Sequence, residues 1–93
     1  MKSYNQIKEL ATELEARLPK QEAPALATMN VRVWAEKEEG MDTGEIHCAP
    51  ATRGVLNTDG YILHVEEIVL FAKYHGLSVY TCSYETGAGL RLS

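Results

Sequence analysis

The sequence predicts an α+β domain of two layers in the order α-β-β-α-β-β, with a mostly antiparallel four-stranded sheet and two helices packed on one face. Three observations support this. Apolar residues near the N-terminus recur at intervals of three and four, the period of a helix. From Ala25 the apolar residues alternate instead, as in a strand with one buried face. Asp59 to Ser83 then runs through a turn, a mainly apolar helical stretch, a glycine stop and a β-rich segment, and the rest of the chain is organised around it.

Taken in order, Ser3 followed three residues later by Gln6 has the form of a capping box. Tyr4, Ile7, Leu10, Ala11, Leu14 and Leu18 form one apolar stripe, opposite Lys8, Glu9, Thr12, Glu13, Glu15 and Arg17. Pro19 ends this helix, because the residue before a proline disfavours the α region. Lys20 to Pro24 reads as a linker. In the first strand Ala27, Met29, Val31, Val33 and Ala35 make the apolar row, and Thr28, Asn30, Arg32, Trp34 and Glu36 the polar one. Lys37 to Gly44 is a loop. The second strand lies near Glu45 to Ala49, with Ile46 and Cys48 on its apolar side, and Pro50 marks a strand end or an edge.

Between Ala51 and Leu63 two readings stand. Val55 and Leu56 could form a hairpin with Tyr61 to Leu63, or Thr58 or Asp59 could cap a helix running from about Tyr61 to His75. The pattern favours a helix beginning nearer His64. Between His64 and Tyr74 only Glu66, Glu67 and Lys73 are charged, so a core helix with a narrow wet strip is expected. Gly76 takes the C′ position, with Leu77 as its hydrophobic contact. Leu77 to Tyr84 alternates as the third strand, Gly87 and Gly89 mark a turn, and Leu90 to Leu92 is a short final strand. Val31, Val33, Ile68, Val69 and Val79 are expected to share one core.

Ninety-three residues with 45% apolar content make one compact domain, residues 1–93. Nine basic residues against 13 acidic, a net charge of −4, disfavour direct nucleic-acid binding, since a phosphate-binding surface needs clustered Lys and Arg. No apolar run approaches the roughly 18 residues of a membrane span, and the chain starts polar, without a hydrophobic signal region. Two cysteines are too few for a disulfide framework. A cytoplasmic location is expected.

No arrangement in the sequence names a chemistry. His47, Cys48, His64, His75 and Cys82 lack the paired spacing of zinc sites, and neighbours such as His47 and Cys48 point to opposite faces of a strand. His75 reads as a cation near a helix C-terminus, and both cysteines as small buried hydrophobes. Glu66 and Glu67, placed in the first turn of the second helix, point about 100° apart and make no two-carboxylate pair. No catalytic residue, metal or cofactor is therefore expected.

Two surface features point to binding. Glu36, Glu38, Glu39, Asp42 and Glu45 stand against Lys37 alone, a negative patch able to dock a basic surface. Arg32, Trp34, Tyr80 and Tyr84 lie on the polar rows of strands, where aromatic residues beside arginine have the composition of interface hot spots. In size, acidity and freedom from motifs the chain resembles phage-encoded inhibitors of host defence, including anti-CRISPR proteins. That resemblance carries no role to any individual position. It implies a small non-catalytic protein that occupies a basic surface of a protein or nucleoprotein complex. The alternatives are a nucleic-acid module using the aromatic rows and a small enzyme assembled by oligomerisation. A homodimer is compatible with each.

Overall fold

The computed structural model describes residues 2–18, 31–51 and 58–93, with side chains in the last segment from His64 onward. Among the described residues, two helices and four strands follow one another as α1 (Tyr4–Arg17), β1 (Val31–Lys37), β2 (Gly44–Pro50), α2 (Thr58–Tyr74), β3 (Val79–Tyr84) and β4 (Gly87–Leu92). All pairings are antiparallel and the sheet order is β1-β2-β4-β3. The predicted α+β architecture is the one observed.

Helix α1 starts at the expected capping box: the Gln6 amide donates to Ser3 Oγ at 3.3 Å, and the Ser3 amide donates to Gln6 Oε1 at 2.9 Å. Ile7, Ala11 and Leu14 are buried, and Glu13 pairs with Arg17 at 3.0 Å along the wet face. The helix closes at Leu18, whose amide donates to the Leu14 carbonyl. Two contacts fix α1 against the first hairpin. The Tyr4 amide donates to the Asp42 carbonyl at 3.0 Å. Glu15 accepts from the Val33 amide at 3.3 Å and so caps part of the β1 edge.

Alternation in β1 and β2 sets two faces. Val33, Ile46, Cys48, Leu90 and Leu92 turn inward with α1 and with Ile68, Phe71 and Ala72 of α2 to form one core. Val31, Ala35, Leu77 and Val79 pack at its margin. Pro50 ends β2, as its lack of an amide hydrogen suggests. The first part of the predicted strand (25–30), the linker at 20–24 and the predicted hairpin half at Val55 and Leu56 lie outside the described residues.

Three expectations need correction. Helix α2 begins at Thr58, not near His64. Thr58 and Asp59 are residue types that favour a helix start, and the apolar run behind them is long enough to carry the helix back past Gly60. Glu66 and Glu67 are therefore mid-helix and exposed, not in a first turn. Nor is α2 covered over most of its circumference: Val69, Leu70 and Tyr74 are 43%, 62% and 82% exposed. A two-layer domain has no third layer for the outer flank, so Val69 stands outside the core it was expected to join.

The third correction concerns the last hairpin. Its turn falls at Glu85 and Thr86, and Gly87 and Gly89 belong to β4, opposite Tyr84 and Cys82. Gly89 is required by packing rather than by a turn. A Cβ there would lie 2.7 Å from Tyr84 Cε2 and would collide with the Cys48 carbonyl oxygen of the neighbouring strand. The stop of α2 matches expectation closely. Gly76 has φ +69°, its amide donates to the Lys73 carbonyl at 3.3 Å, and the Leu77 amide donates to the Ala72 carbonyl at 2.8 Å, a Schellman motif.

Candidate functional site

The candidate site lies on the sheet face opposite the helices, and strand register builds it. Trp34 pairs with His47, His47 with Arg91, and Arg91 with Tyr80, so one rung of large side chains crosses all four strands. The next rung on β1 and β2 sets Glu36 opposite Glu45. Tyr84, farther along β3, leans over Gly89 to reach the same centre.

The rings pack closely. Trp34 stacks on His47 with centroids 5.5 Å apart and planes 14° from parallel. Tyr84 stands edge-on to both, at 5.5 Å from Trp34 and 5.7 Å from His47. Arg32 lies 5.7 Å over the Trp34 ring and Arg91 4.8 Å over Tyr80, both within cation–π range.

His47 is the hub, although its side chain is almost wholly buried. Its Nε2 is 2.9 Å from Glu45 Oε1 and 3.2 Å from Glu36 Oε2. Its Nδ1 is 2.6 Å from the Tyr84 hydroxyl, which also reaches the Leu90 carbonyl at 3.4 Å. The other oxygen of each carboxylate is held as well. Trp34 Nε1 donates to Glu36 Oε1 at 3.1 Å, and Arg91 Nη1 lies 3.5 Å from Glu45 Oε2. Burial above all, then the hydrogen bond with Cys82, pushes the Tyr84 phenol above its ordinary value, so it remains a hydrogen-bond donor.

Of the residues expected to bind, Arg32, Trp34, Glu36, Glu45, Tyr80 and Tyr84 are gathered on this face. Glu38, Glu39 and Asp42 are not part of it. They form the exposed end of the β1–β2 hairpin, where Glu38 Oε2 accepts from the Thr43 hydroxyl at 2.7 Å. Sequence reasoning missed His47 and Arg91 as site residues. Alternation puts His47 in the row of Glu45, a signal that was available, whereas its meeting with Arg91 depends on β2–β4 register.

Of the remaining cysteines and histidines, Cys48 and His64 line one small cavity with Ile68 and Leu90. Cys48 faces the core, and burial pushes its thiol up to about 12. Cys82 lies on β3 and His64 is buried on α2. His75, just past α2, packs its ring against Phe71 at 4.4 Å and Tyr74 at 4.9 Å. Both cysteines are free.

Protein-family models, curated proteins and solved structures offer no match to this chain. The functional reading therefore rests on the geometry. Among the described residues, no helix is long and apolar enough to cross a membrane.

Proposed function

We propose that this chain is a non-catalytic binding protein that docks a macromolecular partner through the sheet face opposite the helices. The observation that carries the reading is the rung Trp34–His47–Arg91–Tyr80, flanked by Tyr84, Arg32 and two carboxylates on the face away from the helices. Such a surface offers apolar area for burial and donors and acceptors of both signs for register, the make-up of a binding hot spot. The exposed Glu39 and Asp42 at the hairpin end add a negative lead that speeds encounter with a basic protein or nucleoprotein surface. A cytoplasmic phage-type inhibitor of a host nucleoprotein complex is the narrower form of this proposal, supported by likeness in size, acidity and lack of motifs.

A second reading, a single-stranded nucleic-acid platform, is favoured by the arginines lying over Trp34 and Tyr80. Glu36 and Glu45 in the middle of the same face repel phosphates and weigh against it.

The test is capture from bacterial lysate with and without nuclease, comparing wild type with Tyr80→Ala and with the pair Glu39→Lys and Asp42→Lys. Leu70→Ala, on the exposed flank of α2, serves as control. A discrete protein retained after nuclease, lost with Tyr80→Ala and kept with Leu70→Ala supports face docking. Capture indifferent to Tyr80 overturns it, and capture abolished by nuclease moves the face to the nucleic-acid reading.

A further inference from the structure

We propose that Glu36, Glu45 and His47 form a binding site for a divalent transition-metal cation, with zinc as the natural probe. This does not depend on the partner-binding reading. Among the described residues this is the one group of three potential ligands whose donor atoms converge, all within 4.8 Å of one another. The three donors are His47 Nε2, Glu45 Oε1 and Glu36 Oε2.

Two of the three donor–donor edges have the length of a coordination shell. Metal–ligand bonds of about 2.1 Å place neighbouring donor atoms roughly 3.0 Å apart at right angles and about 3.4 Å apart at tetrahedral angles. The two edges from Nε2 measure 2.9 and 3.2 Å. An imidazole with two carboxylates suits zinc and its first-row neighbours better than calcium or magnesium, which favour all-oxygen shells.

Two further observations argue for a site prepared for a cation rather than a chance ion pair. Each ligand is held from behind by a residue outside the trio: Glu36 by the Trp34 indole, Glu45 by Arg91, and His47 by Tyr84. With the cation on Nε2, Nδ1–H donates to the Tyr84 oxygen, and the Tyr84 hydroxyl hydrogen goes on to the Leu90 carbonyl. Backing of this kind orients metal-ligating histidines and carboxylates. Moreover, Glu36 and Glu45 are direct cross-strand partners, a like-charge pair that is unfavourable unless positive charge lies between them. A metal ion between the two carboxylates supplies that charge. Three protein ligands leave positions for water or for a donor atom from another molecule, and Glu36, with its side chain 55% exposed, leaves the site open on the solvent side.

The test is isothermal titration of the full chain with zinc chloride, with folding of every variant checked by circular dichroism. The expected result is one site per chain with a dissociation constant below about 100 μM, weakened at least tenfold in Glu36→Gln, whose side chain is exposed enough to leave the fold intact. Zinc should shift the His47 Nε2 resonance in a long-range 1H–15N spectrum. Trp34→Phe should weaken binding by about 10-fold to 100-fold, as expected for a group that orients a ligand. His75→Gln and Cys82→Ser should bind as wild type does. Absence of saturable binding to the folded wild type overturns the proposal. So does binding unchanged in Glu36→Gln, or binding lost with His75 or Cys82.

Discussion

Replacing Gly89 by alanine should destabilise the protein, against the usual sign for such a change in a strand. At a position that tolerates a side chain, Gly→Ala stabilises by about 0.4–1 kcal/mol, mainly by restricting the unfolded chain. At Gly89 the new methyl carbon would sit 2.7 and 2.9 Å from Tyr84 Cε2 and Cδ2 and inside contact distance of the Cys48 carbonyl oxygen. The ring can swing away, at the loss of its 2.6 Å contact with His47, a hydrogen bond worth about 1 kcal/mol. The carbonyl belongs to β2 and moves only if the β2–β4 pairing shifts, and strain of that kind costs about 1–3 kcal/mol. The steric terms exceed the entropic gain, and the net loss should be about 1–3 kcal/mol, equivalent to a fall in Tm of roughly 5–20 °C for a chain of this size. Thermal unfolding followed by circular dichroism measures it. Trp34 is the only tryptophan and stacks on His47, so its emission reports the site independently. A variant with unchanged or raised Tm and wild-type emission would refute the packing of Tyr84 over Gly89.

Two other outcomes follow from the same structure. Ile68, 2% exposed in the core, should cost about 2–5 kcal/mol on truncation to alanine, and a urea midpoint left in place would show that the buried flank of α2 is misassigned. Cys48 should resist a thiol reagent in the folded protein while the half-exposed Cys82 reacts. Its thiol is held at about 12 when folded against 9.0 as the ordinary value, so above pH 9 the unfolded chain releases a proton that the native state keeps. Stability from this group is complete below pH 9 and falls as pH rises towards 12, with a slope approaching about 1.4 kcal/mol per pH unit. Urea titrations of wild type and Cys48→Ala across that range should show the shallower fall in the variant, and parallel curves would contradict the burial.

What could be read from the sequence was set by local rules. The Ser3–Gln6 box, the α1 stripe and the Gly76 stop each depend on a few adjacent residues, and each is found as expected. The two-residue period of β1 also assigned Arg32 and Trp34 to one face and Val33 to the other. The misplaced features depend on residues distant in sequence. Gly89 looked like a turn residue because its constraint comes from Cys48 and Tyr84 on neighbouring strands, not from its own loop. Val69 looked buried because the apolar run around it does not say which flank of the helix turns to the sheet. Arg91 became a site residue only through the β2–β4 register, which no spacing within either strand encodes.

The centre of the face opposite the helices is costly for a sheet selected for stability alone. His47 is 6% exposed and keeps both ring nitrogens in polar contact, and two carboxylates of like charge meet beside it. Replacing a buried ionic cluster by packed apolar side chains is often neutral or stabilising, so its presence is weak support for a structural role. A threonine or valine at position 47 and opposite charges at 36 and 45 would satisfy strand propensity and cross-strand pairing with fewer demands. The expense is concentrated at one point, whereas the core face beneath it is conventional: Val33, Ile46, Cys48, Leu90 and Leu92 follow the pattern without exception. Departures from local consistency gather where a chain recognises something. Here they gather around Nε2 of His47, where two carboxylates, each held by its own partner, converge on a position that suits a cation.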